Sequence, residues 1–326
     1  MRRKLFPACL SLLALAFVLT GSALAGNGGI APPAETPQAE RIQDLYWIVL
    51  GISGVIFLLV EGALIAFLVR FRRRNRPVAA EGPQIHGNTR LEVIWTIVPV
   101  LLVALIVGFV FYKLPEVTDV TEPAIAAPGD ANMRVSVYGR QFYWEFRYPD
   151  GSVTYDTMVV PVNRTVELMV TAPKWDVIHS WWIPALGGKI DAIPGNRNRT
   201  WFRAERVGEY EGTCTEFCGV QHAAMTMKVR ALPDRQYQDE LARLSSSGKE
   251  QFGAACAKCH NVEGAKLIGP TLLGNPTLAD QDALAELVRN GRNAMPPVGR
   301  GWTDEQVKTL FDYVKRFAGG GGGGGG

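Results

Sequence analysis

The stretch Cys214-Thr-Glu-Phe-Cys218-Gly-Val-Gln-His222-Ala-Ala-Met225 decides how this chain is read. Within twelve residues it sets two thiols, an imidazole and a thioether. Soft sulfur with imidazole suits copper, zinc or an iron–sulfur cluster, and zinc sites seldom use Met. A mononuclear blue-copper site takes one Cys, two His and a weak axial Met. The second Cys is one more than that site uses. Two thiolates can instead bridge two coppers, each completed by one His and a weaker ligand. Such a site needs another His, and His179 in Asp176-Val-Ile-His-Ser-Trp-Trp182 is available upstream.

Around this stretch the chain alternates short β-rich runs with turn residues. Strands are expected at Met133–Tyr138, Phe142–Tyr148, Val153–Val160, Thr165–Val170, Thr200–Ala204 and Met225–Val229, with Pro149-Asp-Gly151 as a turn. About one hundred residues of short strands without helical periodicity predict a β-sandwich or Greek-key barrel. We assign residues 113–235 to this all-β domain.

Downstream, the polar segment 233–247 ends in Ser245-Ser-Ser-Gly248 and reads as a linker into a new helix. Then comes Cys256-Ala-Lys-Cys259-His260, the attachment signature of a c-type haem. Two thiols add to the haem vinyl groups and the next residue supplies an axial imidazole. Met295, in Asn293-Ala-Met-Pro-Pro297, is the candidate sixth ligand. His with Met raises the haem potential and suits electron transfer. Ile268-Gly-Pro270 resembles the turn that holds the axial His in class I cytochromes c, where the Pro270 carbonyl would accept the other ring proton. Thr303–Phe317 has helical spacing, with Thr303 as N-cap and Gln306 as its capping-box partner. An all-α cytochrome domain is expected over 245–318, followed by a Gly tail at 319–326.

The first third of the chain is of another kind. Residues 1–25 have a basic start, an apolar middle and a small-residue ending, the layout of a secretory signal peptide. Residues 26–44 read as a linker. Two apolar runs, 45–69 and 93–112, are each long enough to span a bilayer, which takes about 20 residues, and form a hairpin over 45–112. Six Arg lie between Arg70 and Arg90 against one acid, Glu81. That loop belongs in the cytoplasm by the positive-inside rule. Everything after the hairpin is then outside the plasma membrane, in agreement with an exported N-terminus. Glu61 lies inside the first span, where a carboxyl is costly and is usually buried against a partner or functional.

The net charge of +3 is too small to suggest nucleic acid, and no basic patch is interleaved with aromatics. Of five Cys, Cys9 lies in the signal segment and the other four are accounted for by the two motifs, so no disulfide is expected.

Taken together, residues 40–232 resemble subunit II of haem–copper cytochrome oxidases. The resemblance is carried by Cys-x-Glu-x-Cys-x3-His-x2-Met, by Val177-Ile-His-Ser-Trp181 and by Lys189-Ile-Asp-Ala-Ile-Pro-Gly195. It implies a cupredoxin-like Greek-key barrel with a binuclear copper A centre. Cys214 and Cys218 would bridge the coppers. His179 and Met225 would complete one, and His222 with the Glu216 carbonyl the other. The Glu216 carboxylate would bind magnesium where subunit I makes contact. The segment Leu91-Glu-Val-Ile-Trp-Thr-Ile-Val-Pro99 is similar to the family's Glu-x-x-Trp-Thr-x-x-Pro, whose Glu lies at the mouth of a proton-uptake path. Glu92 would hold that place. The family's Gly-x-Gln-Trp-Tyr-Trp is here Gly139-Arg-Gln-Phe-Tyr-Trp144. Phe142, Tyr143 and Trp144 are candidates for receiving electrons, with Phe142 standing where the family has its first Trp.

With a c-type haem attached, the whole resembles the caa-type oxidases. This implies a relay from cytochrome c, or another respiratory donor, through haem c and copper A to subunit I, where dioxygen is reduced with coupled proton translocation. Oxidase subunit I and other oxidase subunits are the implied partners. A nitrous-oxide or nitric-oxide reductase subunit is the competing enzyme, but the hairpin and the Glu92 segment do not fit it. A copper carrier for assembly would need neither Met225 nor a haem.

Overall fold

A computed structural model describes residues 33–72, 84, 86–118 and 133–319. The expected signal segment, most of the Arg-rich loop and the Gly tail beyond residue 319 lie outside the described residues. The chain divides into two compact units, residues 40–119 and the remainder.

The smaller unit holds two apolar helices, α1 (Pro37–Arg70) and α2 (Thr89–Thr118), both long enough to cross a membrane. Each starts before its apolar run does. The linker expected over 26–44 stops at Thr36, eight residues short of its expected end. The Thr36 hydroxyl accepts from the Ala39 amide at 3.0 Å, and Pro37 at the first helical position has no amide to leave unpaired. Helix α2 begins behind Asn88, whose side chain accepts from Leu91 N at 3.3 Å. Glu92 reaches back to the Asn88 amide at 3.1 Å. Glu92 therefore closes the first turn of α2.

In the larger unit, ten strands form two five-stranded sheets. They are β1 (Met133–Arg140), β2 (Tyr143–Arg147), β3 (Val153–Tyr155), β4 (Thr157–Pro161), β5 (Val166–Thr171), β6 (His179–Trp182), β7 (Ile190–Ala192), β8 (Asn198–Phe202), β9 (Gly208–Cys214) and β10 (Thr226–Leu232). One sheet runs β3-β2-β1-β5-β8 and the other β4-β10-β9-β6-β7. Most neighbours are antiparallel, while β1 with β5 and β10 with β4 are parallel. Val135, Val137, Leu168, Val170, Met227, Val229 and Ala231 alternate inward and fill the core between the sheets.

Three strands escaped the sequence reading, β6, β7 and β9. The first two are short, and β9 (Gly-Glu-Tyr-Glu-Gly-Thr-Cys) is rich in Gly and Glu. The run expected over Val153–Val160 is split at Asp156, which adopts a φ of 51° between β3 and β4.

The segment expected to be a linker, 233–247, is instead helix α3 (Asp234–Ser245). Tyr237, Leu241 and Leu244 share one face by their spacing and are buried in the core of the β domain. The cytochrome region adds α4 (Gly248–Ala255), α5 (Gln281–Asn290) and α6 (Asp304–Val314). Helix α5 went unread. The expected capping box of α6 is present, with Thr303 Oγ1 accepting from Gln306 N and Gln306 Oε1 accepting from Thr303 N. These helices pack around Phe252, Leu284, Val288, Trp302 and Leu310, and the same apolar cluster contains Tyr143 and Tyr155 of the β domain.

Candidate copper and haem sites

The soft-ligand site is assembled by strand pairing. In the β6–β9 ladder Trp181 sits opposite Cys214, and the Thr215 amide donates to the Ser180 carbonyl at 3.0 Å. This brings His179, at the start of β6, beside Cys214, at the end of β9. The chain then loops through Cys218 and a 3-10 turn at His222–Ala224, and the Cys214 amide closes the loop on the Met225 carbonyl at 2.9 Å. Every expected donor faces a thiol. His179 Nδ1 lies 4.0 Å from Cys214 Sγ and His222 Nδ1 lies 3.6 Å from Cys218 Sγ. Met225 Sδ is 3.7 Å from Cys218 Sγ, and the Glu216 carbonyl is 3.3 Å from Cys214 Sγ. The ligand atoms of His179, Cys214 and Cys218 fall within 4.8 Å of one another, and all three residues are buried.

The electrostatics favour a cation here. The hydrogen bond from Cys218 holds the Cys214 thiol well below its ordinary value, whereas the same bond pushes Cys218 up. One thiolate forms readily and the second needs positive charge beside it. Burial opposes a charged His179, but its bonds to Asp176 and Cys214 outweigh that and raise it. Asp176 has no role legible from the sequence motif that contains it. Its Oδ1 lies 3.1 Å from His179 Nε2, which fixes the ring with Nδ1 toward sulfur. The ring also needs Gly139, since a Cβ there would come within 2.8 Å of His179 Cδ2. The donor set of two thiols, two imidazoles, a thioether and a carbonyl fits a two-copper centre. The Glu216 carboxylate is exposed, and among the described residues no second group of three acids, His or Cys gathers around it.

Forty residues on, a cavity of about 360 Å³ is lined by Cys256, Cys259, His260 and Met295, with Phe252, Leu284, Val288 and Leu310 as apolar walls. His260 Nδ1 lies 2.8 Å from the Pro270 carbonyl, as the Ile-Gly-Pro turn implied, so Nε2 is the free ring nitrogen. Gly269 packs on the His260 ring more closely than any side chain would allow. Met295 sits in a tight turn in which its amide and carbonyl both bond to Arg292. Burial pushes the Cys256 thiol up to about 12 and raises Cys259 as well, so both stay neutral. All four described cysteines are free. Two thiols, an imidazole and a thioether on an apolar cavity fit a covalently held haem.

The aromatic run Phe142–Trp144, the candidate for receiving electrons, lies inside the protein. Tyr143 and Trp144 are fully buried. Tyr143 donates to the Val298 carbonyl at 2.6 Å, and Trp144 packs edge-on against the His179 ring. Phe142 is also buried and, with Gln141, forms part of the haem cavity wall. The sequence places an aromatic strand here but not the helical domain that covers it.

Comparison with known proteins agrees with this layout. Residues 26–113 match the transmembrane domain of cytochrome C oxidase subunit II, and residues 153–232 match its periplasmic domain. Residues 244–314 match the family described as cytochrome C oxidase, cbb3-type, subunit III. Cytochrome c oxidase subunit 2 of Alkalihalophilus pseudofirmus is 32% identical over 70% of this chain and 69% of its own length. The probable cytochrome c oxidase subunit 2 of Rickettsia bellii is 31% identical over 73% of this chain and 93% of its own. The crystal structure of the periplasmic domain of subunit II (CoxB) of Bradyrhizobium japonicum covers 36% of this chain and 96% of that one, at 34% identity and a TM-score of 0.33.

Proposed function

The chain belongs to the cytochrome c oxidase subunit II family, and from that premise we propose which of its residues hold the cofactors and pass the electron. It is a membrane subunit of a haem–copper oxidase with its copper and haem domains outside, and it relays electrons through copper A to subunit I. Cys214, Cys218, His179, Met225, His222 and the Glu216 carbonyl would hold copper A. Cys256 and Cys259 would attach haem c, and His260 and Met295 would be its iron ligands.

The observation that carries this reading is the convergence of four donors on two thiols, each within 4.0 Å. When bound, both groups supply reversible one-electron storage without proton release. The protein's part is to fix geometry and exclude water. Asp176 orients His179, and the Pro270 carbonyl orients His260. Burial of Cys214, Cys218 and Met225 keeps water from the sulfurs. Little rearrangement then accompanies a change of charge, which is what rapid electron transfer requires.

Three finer assignments follow the family pattern. Glu216 contributes its carboxylate to a magnesium ion at the contact with subunit I. Cytochrome c, or another respiratory carrier, delivers electrons to the haem. Glu92 serves proton uptake from the cytoplasmic side, in addition to capping α2.

A metal and haem count on the purified subunit tests the central reading. Two coppers per chain sharing one unpaired electron, and one covalent haem, are expected. Cys218→Ser should abolish the shared-electron signal and leave the haem spectrum intact. Zinc in place of copper, or a haem released by acid acetone, overturns the assignment.

A further inference from the structure

The loop that carries the haem cysteines meets the loop that carries the copper cysteines through specific polar contacts. The Gln221 side chain donates from Nε2 to the Lys258 carbonyl at 2.5 Å. Gln221 adjoins the copper ligand His222, and Lys258 adjoins the haem-bearing Cys259. The Lys258 ammonium reaches the other way, to the Phe142 carbonyl at 2.8 Å and to Asp156 Oδ2 at 2.5 Å. Next to it, Gln141 Nε2 donates to the Cys218 carbonyl at 2.6 Å.

These contacts are largely shielded from water. The Lys258 and Asp156 side chains are 14% and 21% exposed. Asp156 is itself anchored, its other oxygen accepting from the Trp144 amide at 2.8 Å. An ion pair so placed gains little over an apolar contact in stability, but it tolerates only one register. An outer set of bonds closes around it: Tyr143 to Val298, Gln306 to Tyr155 and Arg140 to the Arg300 carbonyl.

We propose that Lys258 and Gln221 are positioning residues for electron transfer within the chain. The Lys258–Asp156 pair fixes the register of the haem loop on the copper domain. Gln221 then completes a path from Cys259 through the Lys258 peptide and one hydrogen bond to His222. The transfer oxidises the haem iron from ferrous to ferric and adds that one electron to the copper pair. No bond forms or breaks and no proton moves. This rests on the ligand assignments above. It gives Phe142 a place in the wall between haem cavity and copper loop, where its ring lies against Gly219 beside Cys218.

The test uses the assembled oxidase carrying Gln221→Leu or Asp156→Asn. Asn tolerates the left-handed φ of 51° at position 156 and can still accept from Trp144. Optical and spin-resonance spectra and both potentials are measured first. Missing haem c or copper signals in the wild type would remove the ligand assignments, and this proposal with them. An electron is then placed on haem c by a flash-excited ruthenium complex, and its arrival at copper is followed in the near infrared. Loss of one charge-assisted or bridging hydrogen bond should slow arrival roughly tenfold, with spectra and potentials unchanged. Hydrogen exchange across 142–145 and 257–260 should rise in Asp156→Asn. Unaltered arrival in both variants, or slowing that tracks a shifted potential, overturns the proposal. Unaltered exchange overturns the clamp.

Discussion

Two of the three proposed ligand histidines lean on a glycine, His179 on Gly139 and His260 on Gly269. Each ring is also held through one nitrogen by an oxygen acceptor, Asp176 or the Pro270 carbonyl. An imidazole clamped on its face and at one nitrogen can offer only the other nitrogen to a metal. Gly139→Ala tests this at the copper site. The added methyl must displace a ring inside a packed core, which typically costs about 1–3 kcal/mol. The expected result is a lower melting temperature for the β domain and an altered copper spin-resonance spectrum, with the haem bands unchanged. An unaltered copper spectrum would show that the ring has room to spare. The ligands themselves were legible in the sequence because their spacing is local. Gly139 and Asp176 were not assigned, because their roles come from strands that meet only in the fold.

Among the elements, α3 is where the sequence reading and the fold part most. Its polar composition suggested a linker, yet Tyr237, Leu241 and Leu244 give it one apolar face, which the β domain buries. Leu241→Ala should destabilise the domain by about 2–5 kcal/mol, the usual cost of emptying a buried leucine site, read from thermal or denaturant melting. A change below 1 kcal/mol would mean that α3 is only loosely attached. The polar face of α3 makes a separate, pH-dependent contribution. Arg243 and Arg230 hold the Glu240 carboxyl down at about 2, against an ordinary 4.5. A depressed carboxylate stabilises the fold fully above 4.5 and loses that contribution as pH falls toward 2. Glu240→Gln should therefore flatten the acid limb of stability in that window and cost under about 1 kcal/mol at neutral pH, because the partner arginines are partly exposed and their charges screened. Acid titration of tryptophan fluorescence checks it, and an acid limb as steep as the wild type's would assign that loss to other carboxylates.

At the scale of the whole molecule, the larger unit joins its two cofactor domains through a shared apolar cluster as well as polar bonds, with Tyr143 and Tyr155 of the β domain packed among the haem-domain residues. Two functional domains in one sequence were legible from their motifs. Their contact was not: Tyr143 read as a candidate for receiving electrons and Tyr155 as an ordinary strand residue, and only the three-dimensional meeting of two surfaces gives them partners in the haem domain. A donor that must diffuse to the haem behaves differently from a haem already in place. Encounter between charged proteins weakens as salt screens them over a Debye length of about 10 Å at 0.1 M. The internal step begins from a docked pair whose hydrogen bonds are buried, so screening has little to act on. Raising ionic strength should slow haem reduction by an external cytochrome c severalfold while leaving the haem-to-copper step nearly constant, and dilution should act in the same way. Stopped-flow and flash measurements on one preparation separate the two steps. If the internal step fell with salt in parallel with the external one, the haem domain would have to leave and re-dock in each cycle, and the contacts through Lys258 would describe only one pose of a mobile arm.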